Sequence, residues 1–171
     1  MKVFLMGMPA AGKTTLGKLL ARHLRFNFID LDEKIEEREN KSIAAIFSEN
    51  GEIYFRKIEN KILEEIIRLP TDCIIATGGG TPCFHNNLEL ILSNGISVFV
   101  NTPLEKIYER IKQTNQKRPL FKEINSSTEI EKKIKKLYEE RLPYYSKASH
   151  TILTTEIPIN ELVAYLFNTK N

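Results

Sequence analysis

No other stretch limits the possible folds as tightly as Gly7-Met8-Pro9-Ala10-Ala11-Gly12-Lys13-Thr14, which matches G-x-x-x-x-G-K-[ST]. The motif works only between a strand and a helix, and both patterns are present. An apolar run at 3–6 precedes it, and Leu16, Leu19, Leu20 and Leu24 recur at helical spacing behind it. Gly7 and Gly12 permit backbone angles that turn amides inward, and a helix N-terminus adds positive potential for phosphate. Lys13 supplies a cation for β- and γ-phosphates, and the Thr14 hydroxyl suits Mg²⁺. The alternative, a glycine turn before a solvated lysine, leaves the flanking pattern unexplained. The loop points to a nucleotide and leaves the reaction open.

A chain of 171 residues has the size of one domain with a full core. Its 42% hydrophobic share is far too high for a disordered chain. Lys plus Arg number 25 against 22 Asp plus Glu, a net +3 that is too small to suggest a nucleic-acid partner. Cys73 and Cys83 cannot build a disulfide framework and fit a reducing, cytoplasmic compartment. The opening run to Gly12 superficially resembles a signal peptide, but Gly12-Lys13-Thr14 gives it another role. No stretch approaches the roughly 20 apolar residues that span a bilayer, so a soluble protein without a membrane partner is expected.

Short runs at 3–6, 26–29, 73–76, 96–100 and 151–153 are rich in β-branched or aromatic residues and bounded by turn formers. Amphipathic stretches lie between them, including Ile62, Leu63, Ile66 and Ile67, then Leu104, Ile107, Tyr108 and Ile111. Such alternation predicts an α/β three-layer sandwich, a five-stranded parallel sheet between helices. Residues 31–69 hold more helix than one crossover needs, in pieces at 42–49 and 52–69 broken at Asn50-Gly51, with Ser42 as a cap. This insertion is a natural substrate platform. The polar segment 112–127 around Arg118-Pro119 reads as a lid. Both belong to a single domain over 1–171.

The chemistry narrows further at the strand ends. Asp30-Leu31-Asp32 closes the second strand, where residues two apart point to the same side. One carboxylate can then serve hydrated Mg²⁺ while the other accepts from a substrate hydroxyl, unless one merely caps the next helix. The third strand ends in Gly78-Gly79-Gly80 without a carboxylate, and no guanine-reading Asn-Lys-x-Asp is present. Three glycines let a small polar molecule reach backbone amides, although a tight turn alone would use two. Arg56, Arg118 and Arg141 offer the two-point fork that binds carboxylate or phosphate, or are solvated surface residues. Glu59 can orient Arg56 one helical turn away. The lysines at 132, 133, 135 and 136 read as the wet face of a helix over 129–141.

Taken together, the loop at 7–14, Asp30-Leu31-Asp32, the Ser42–Phe47 stretch, Gly51-Glu52 leading to Phe55-Arg56 and Glu59, the triple glycine, Arg118-Pro119-Leu120 and Glu140-Arg141 with Tyr144-Tyr145 resemble the shikimate kinases over nearly the whole chain. The resemblance implies a P-loop NTPase fold of the nucleoside monophosphate kinase type. It implies transfer of the γ-phosphoryl group of ATP to the 3-hydroxyl of shikimate, giving shikimate 3-phosphate and ADP in the route to chorismate and aromatic amino acids. Within it Lys13, Asp32 and Arg118 are catalytic. Gly7, Ala10, Ala11, Gly12, Lys13, Thr14, Thr15, Arg110 and Arg118 bind ATP, and Thr14 with Asp30 holds Mg²⁺. Asp32, Phe47, Phe55, Arg56, Gly78, Gly79, Gly80 and Arg141 bind shikimate. Shikimate and ATP are the expected partners of a monomer.

Two features depart from that pattern. Relatives commonly carry Gly where this chain has Ala10, harmless at negative φ and strained otherwise. The interval from Arg110 to Arg118 is about one residue longer than in many relatives. Cys83, beside the glycines, is given no catalytic role. Another small-molecule P-loop kinase, such as one for gluconate, and a catalytically silent nucleotide-binding module are the competing readings.

Overall fold

A computed structural model of the chain describes residues 1–113, 126–153 and 157–167. Five strands form one parallel sheet: β1 Lys2–Met6, β2 Asn27–Asp30, β3 Cys73–Ala76, β4 Ile96–Val100 and β5 His150–Ile152. Their order is β2-β3-β1-β4-β5. Every residue of β1 is buried, as the middle strand of a sheet covered on both faces must be. The expected strand positions hold to within a residue.

Seven helices pack on the sheet or extend from it among the described residues: α1 Lys13–Leu24, α2 Leu31–Glu39, α3 Ile43–Arg68, α4 Asn87–Asn94, α5 Leu104–Gln113, α6 Ser127–Tyr145 and α7 Ile159–Phe167. None is long and apolar enough to cross a membrane. Leu16 and Leu20 of α1 are buried, but Leu19, placed by pattern on the same apolar face, is 49% exposed. It lies at the edge of a stripe that Leu16, Leu20 and Ala21 already fill.

The insertion folds as α2 and α3. The Ser42 side chain accepts from Ala45 N–H at the start of α3. Gly51 breaks that helix with φ 80° and ψ 172°, the left-handed region that glycine enters without a Cβ penalty. α6 is longer than the expected 129–141: it runs on through Pro143 to Tyr145. A proline in the last turn forfeits one backbone bond, and the Ser146 N–H donating to Leu142 O closes the helix beyond it.

β1 is also the point where the chain changes direction across the sheet. Its early connections lead to β2 and β3 on one side, and β4 and β5 lie on the other. Ligands of open α/β sheets bind at the carboxyl ends of strands beside such a reversal. The loop after β1, the glycine turn after β3 and the start of α2 after β2 all gather there.

Candidate active site

The loop 7–12 leaves β1 and enters α1 through Gly12, whose φ of 97° requires glycine. Lys13 Nζ folds back to donate to Gly7 O at 3.0 Å and Met8 O at 2.8 Å. The loop is braced by residues that follow β4, the neighbour of β1. The Thr102 hydroxyl donates to Ala11 O at 2.7 Å, and Arg110 Nη1 donates to Ala10 O at 3.0 Å. Arg110 is thus tied to the phosphate loop itself. Thr15 is exposed in the first turn of α1.

Ala10 has φ 63°, the unfavourable side of the sequence expectation. A left-handed L-residue costs roughly 1–2 kcal/mol, of which glycine's greater freedom in the unfolded chain would return part. Ala10→Gly is therefore expected to stabilise the protein by about 0.5–1 kcal/mol and raise Tm by about 1–4 °C in a thermal melt.

Asp30 and Asp32 do come together, but not by strand alternation. β2 ends at Asp30, and Asp30 is the N-cap of α2, with its Oδ1 accepting from Asp32 N–H at 3.1 Å. Capping and site geometry are one arrangement here, because the cap turns the chain so that Asp32 opens the helix at the strand mouth. The Thr14 hydroxyl donates to Asp30 Oδ2 at 2.7 Å. A hydroxyl and a carboxylate beside a phosphate loop are hard oxygen donors, a set that fits a divalent cation retaining waters and phosphate oxygens. Asp32 is half-buried, and its pKa is pushed up to about 6 by desolvation, then by the neighbouring Asp30 and Glu59 carboxylates, against the pull of Lys13 and Arg56.

Arg56 and Arg141, the two expected acceptor arginines, differ in how they are held. Arg56 is tied down: Nη1 donates to Glu59 Oε2 at 2.9 Å, and Nε and Nη2 to Glu52 Oε1 at 3.2 and 3.1 Å. Its guanidinium also lies over the Phe84 ring, 4.0 Å from the centroid, and 5.0 Å from that of Phe55. Glu59 is fully buried and accepts a second bond from the Thr81 hydroxyl at 2.7 Å. Arg141, on α6, is equally buried, yet its Nη1 has no hydrogen-bond partner among the described residues. A buried, unpaired guanidinium nitrogen is costly, and an anionic ligand is what would satisfy it.

Gly78-Gly79-Gly80 threads between these groups, and space explains it. A Cβ on Gly78 would lie 2.9 Å from Asp32 Oδ1 and 3.1 Å from Glu59 Oε1. One on Gly79 would meet Pro9 at 2.7 Å and Arg141 Nη1 at 3.0 Å, and one on Gly80 would meet Arg56 Nη2 at 2.6 Å. A side chain at any of the three would have to displace an arginine, a carboxylate or Pro9. Phe47 and Phe55 pack together at 4.6 Å between centroids beside it.

Several neighbours have no site role in the sequence reading. Glu52 and Tyr145 lie in stretches that carry the resemblance, Thr81 and Phe84 are single residues of common types, and the tertiary fold brings all four to the site. Cys83 stands close enough to feel both arginines, but burial pushes its thiol up to about 11. It is held protonated and is a poor nucleophile. Arg118 and most of the expected lid at 112–127 lie outside the described residues.

Comparison with known proteins places this arrangement. The sequence profile of the shikimate kinase family matches residues 9–170. A shikimate kinase of Phocaeicola vulgatus is 41% identical over 156 residues, covering 91% of this chain and 88% of that protein. The shikimate kinase structure from Bacteroides thetaiotaomicron superposes with a TM-score of 0.88 at 36% identity, covering 97% of this chain and 96% of that one. One from Acinetobacter baumannii, solved in complex with shikimate, gives a TM-score of 0.90 at 32% identity over 99% of this chain and 94% of that one. The profile match and the identity extend well beyond the phosphate loop that many kinases share, and on them the chain belongs to the shikimate kinase family.

Proposed function

We propose that this protein phosphorylates the 3-hydroxyl of shikimate with ATP, releasing shikimate 3-phosphate and ADP in aromatic amino-acid biosynthesis. Membership of the family and the shikimate-bound relative support the reaction. The observation that carries the substrate assignment in this chain is the unpartnered Arg141 Nη1 buried beside Gly79. It suits the carboxylate of a small acid better than a neutral sugar or an occupied structural pair.

The roles divide by position. The 7–14 amides and Lys13 hold the β- and γ-phosphates, and the loop holds Arg110 against Ala10 O near the nucleotide. Thr14 and Asp30 hold Mg²⁺, which neutralises charge on the phosphates when bound. Arg56 and Arg141 receive the carboxylate, Gly79 and Gly80 offer amides, and Phe47 and Phe55 border the ring. Asp32 accepts from the 3-hydroxyl and takes its proton as the oxygen bonds to phosphorus. A carboxyl with a pKa of about 6 is matched to that task near neutral pH. Arg118 is assigned to the transferring phosphoryl group from the family pattern. Phosphoryl transfer depends chiefly on such positioning and charge neutralisation. The domain works as a cytoplasmic monomer in which 31–69 is the acceptor platform and 112–127 the lid, and the two unpaired cysteines support a reducing compartment.

Release of ADP from Mg-ATP, followed with shikimate, gluconate or no acceptor, tests this reading. Strong stimulation by shikimate alone is expected, because a site built around a substrate's hydroxyls and carboxylate discriminates sharply. Equal stimulation by gluconate would favour another small-molecule kinase, and none at all with ATP bound would favour a binding module.

A further inference from the structure

Tyr145 stands two residues beyond the proline in α6 and is completely buried. Its ring packs on Phe99 of β4, 5.1 Å between centroids, and its hydroxyl donates to the carbonyl oxygen of Gly79. Burial drives that hydroxyl's pKa well above the ordinary tyrosine range, against the pull of the Arg141 guanidinium beside it, so it is a permanent donor at any physiological pH.

The Thr81 N–H donates to Gly78 O across the turn, but the peptide between Gly79 and Gly80 has no other hydrogen-bond partner among the described residues. Gly79 O and Gly80 N–H belong to one planar trans peptide, so they point in opposite directions. Between two glycines such a unit rotates as a plate with little steric resistance. Among the described residues no backbone carbonyl accepts from Gly80 N–H. The contacts that frame the turn constrain where it lies, through Pro9, Arg141 and Arg56. They do not fix which way that plate faces. The Tyr145 hydroxyl does, by anchoring its carbonyl end.

We propose that Tyr145 is a positioning residue for the acceptor: by holding Gly79 O it keeps Gly80 N–H turned away from itself and toward the acceptor carboxylate. This rests on the shikimate assignment above. The same helix carries Arg141 one turn earlier, so α6 delivers the guanidinium and orients the amide as one rigid piece. Among the described residues no hydrogen bond or ring contact joins Tyr145 to the nucleotide loop, so its effect is expected on the acceptor.

Tyr145→Phe removes the hydroxyl and leaves the ring on Phe99. The expected result is a rise in KM for shikimate of about threefold to tenfold, the scale of one hydrogen bond. kcat should stay within about threefold, KM for ATP within about twofold, and the melting curve should remain cooperative and well above assay temperature. An unchanged shikimate KM, a matching rise for ATP, a loss confined to kcat, or a variant too unstable to assay overturns the proposal. The unmodified enzyme measured alongside separates the two readings: if shikimate does not stimulate its ADP release, the substrate assignment has failed, not the role of Tyr145.

Discussion

Asp32→Asn is expected to lower kcat about a hundredfold or more while making the ligand-free protein more stable at neutral pH. The loss follows from removing the group that accepts the 3-hydroxyl proton, since a positioned base contributes about 10²–10⁴-fold. The substitution spares the local fold. It is the Asp32 N–H, not its side chain, that Asp30 caps, so α2 keeps its start. The gain in stability follows from electrostatics: Asp30, Asp32 and Glu59 crowd three carboxylates at one strand mouth, and burial adds to the strain on Asp32. Its carboxyl has a value of about 6 in the folded protein against 3.8 unfolded. The folded state therefore binds the extra proton between those values, and stability falls as pH rises through that window. Below about pH 4 the wild-type residue carries no such penalty; above about pH 6 it carries all of it, at most about 3 kcal/mol. Urea unfolding of both proteins at pH 4 and pH 7 reads the difference, which should be small at the first and favour the variant by about 1–3 kcal/mol at the second. A variant less stable than wild type at pH 7, with activity retained, would remove Asp32 from both roles.

That trade between stability and function also explains how far the sequence could be read. The strands were legible because β1, β3 and β4 are buried on both faces and so read as continuous apolar runs. The phosphate loop was legible because its backbone conformations demand fixed residue types. The triple glycine was legible as a place of close approach, but its cause was not. Its crowding comes from Arg56, Arg141 and Asp32, which sit on three different elements. Asp30 and Asp32 were matched to one place by the wrong geometry, since a helix cap and a strand alternation both set residues two apart side by side. Thr81 left no trace in any pattern, and Tyr145, although it lies in a stretch that carries the resemblance, gave no sign of its contact. A buried hydroxyl that steadies a carboxylate or a carbonyl has no periodicity and no motif. Ala10 marks the opposite limit: the sequence showed an unusual residue, and only the φ of 63° shows that it is strained.

Arg141→Met should separate acceptor binding from everything else the site does. Arg141 is 8% exposed, and its Nη1 has no partner among the described residues. A charged hydrogen bond to a carboxylate is worth roughly 1.5–3 kcal/mol, so KM for shikimate should rise about 10- to 150-fold. KM for ATP should stay within about twofold, because the phosphate loop is braced by Thr102 and Arg110 and not by Arg141. Stability gives a second, independent readout through contrast with the other arginine. Arg56→Met would strand Glu59, fully buried and left with only the Thr81 hydroxyl, and breaking such a pair costs about 3–5 kcal/mol. Among the described residues Arg141→Met breaks no salt bridge, and it removes a buried nitrogen that is already unpaired, so its melting temperature should change little. The two variants should therefore look alike in shikimate affinity and unlike in a thermal melt. A large loss of stability in Arg141→Met, or equal losses for shikimate and ATP, would mean that this arginine is a structural strut. The reverse pattern identifies it as a guanidinium whose buried Nη1 is left for the acceptor's carboxylate to satisfy.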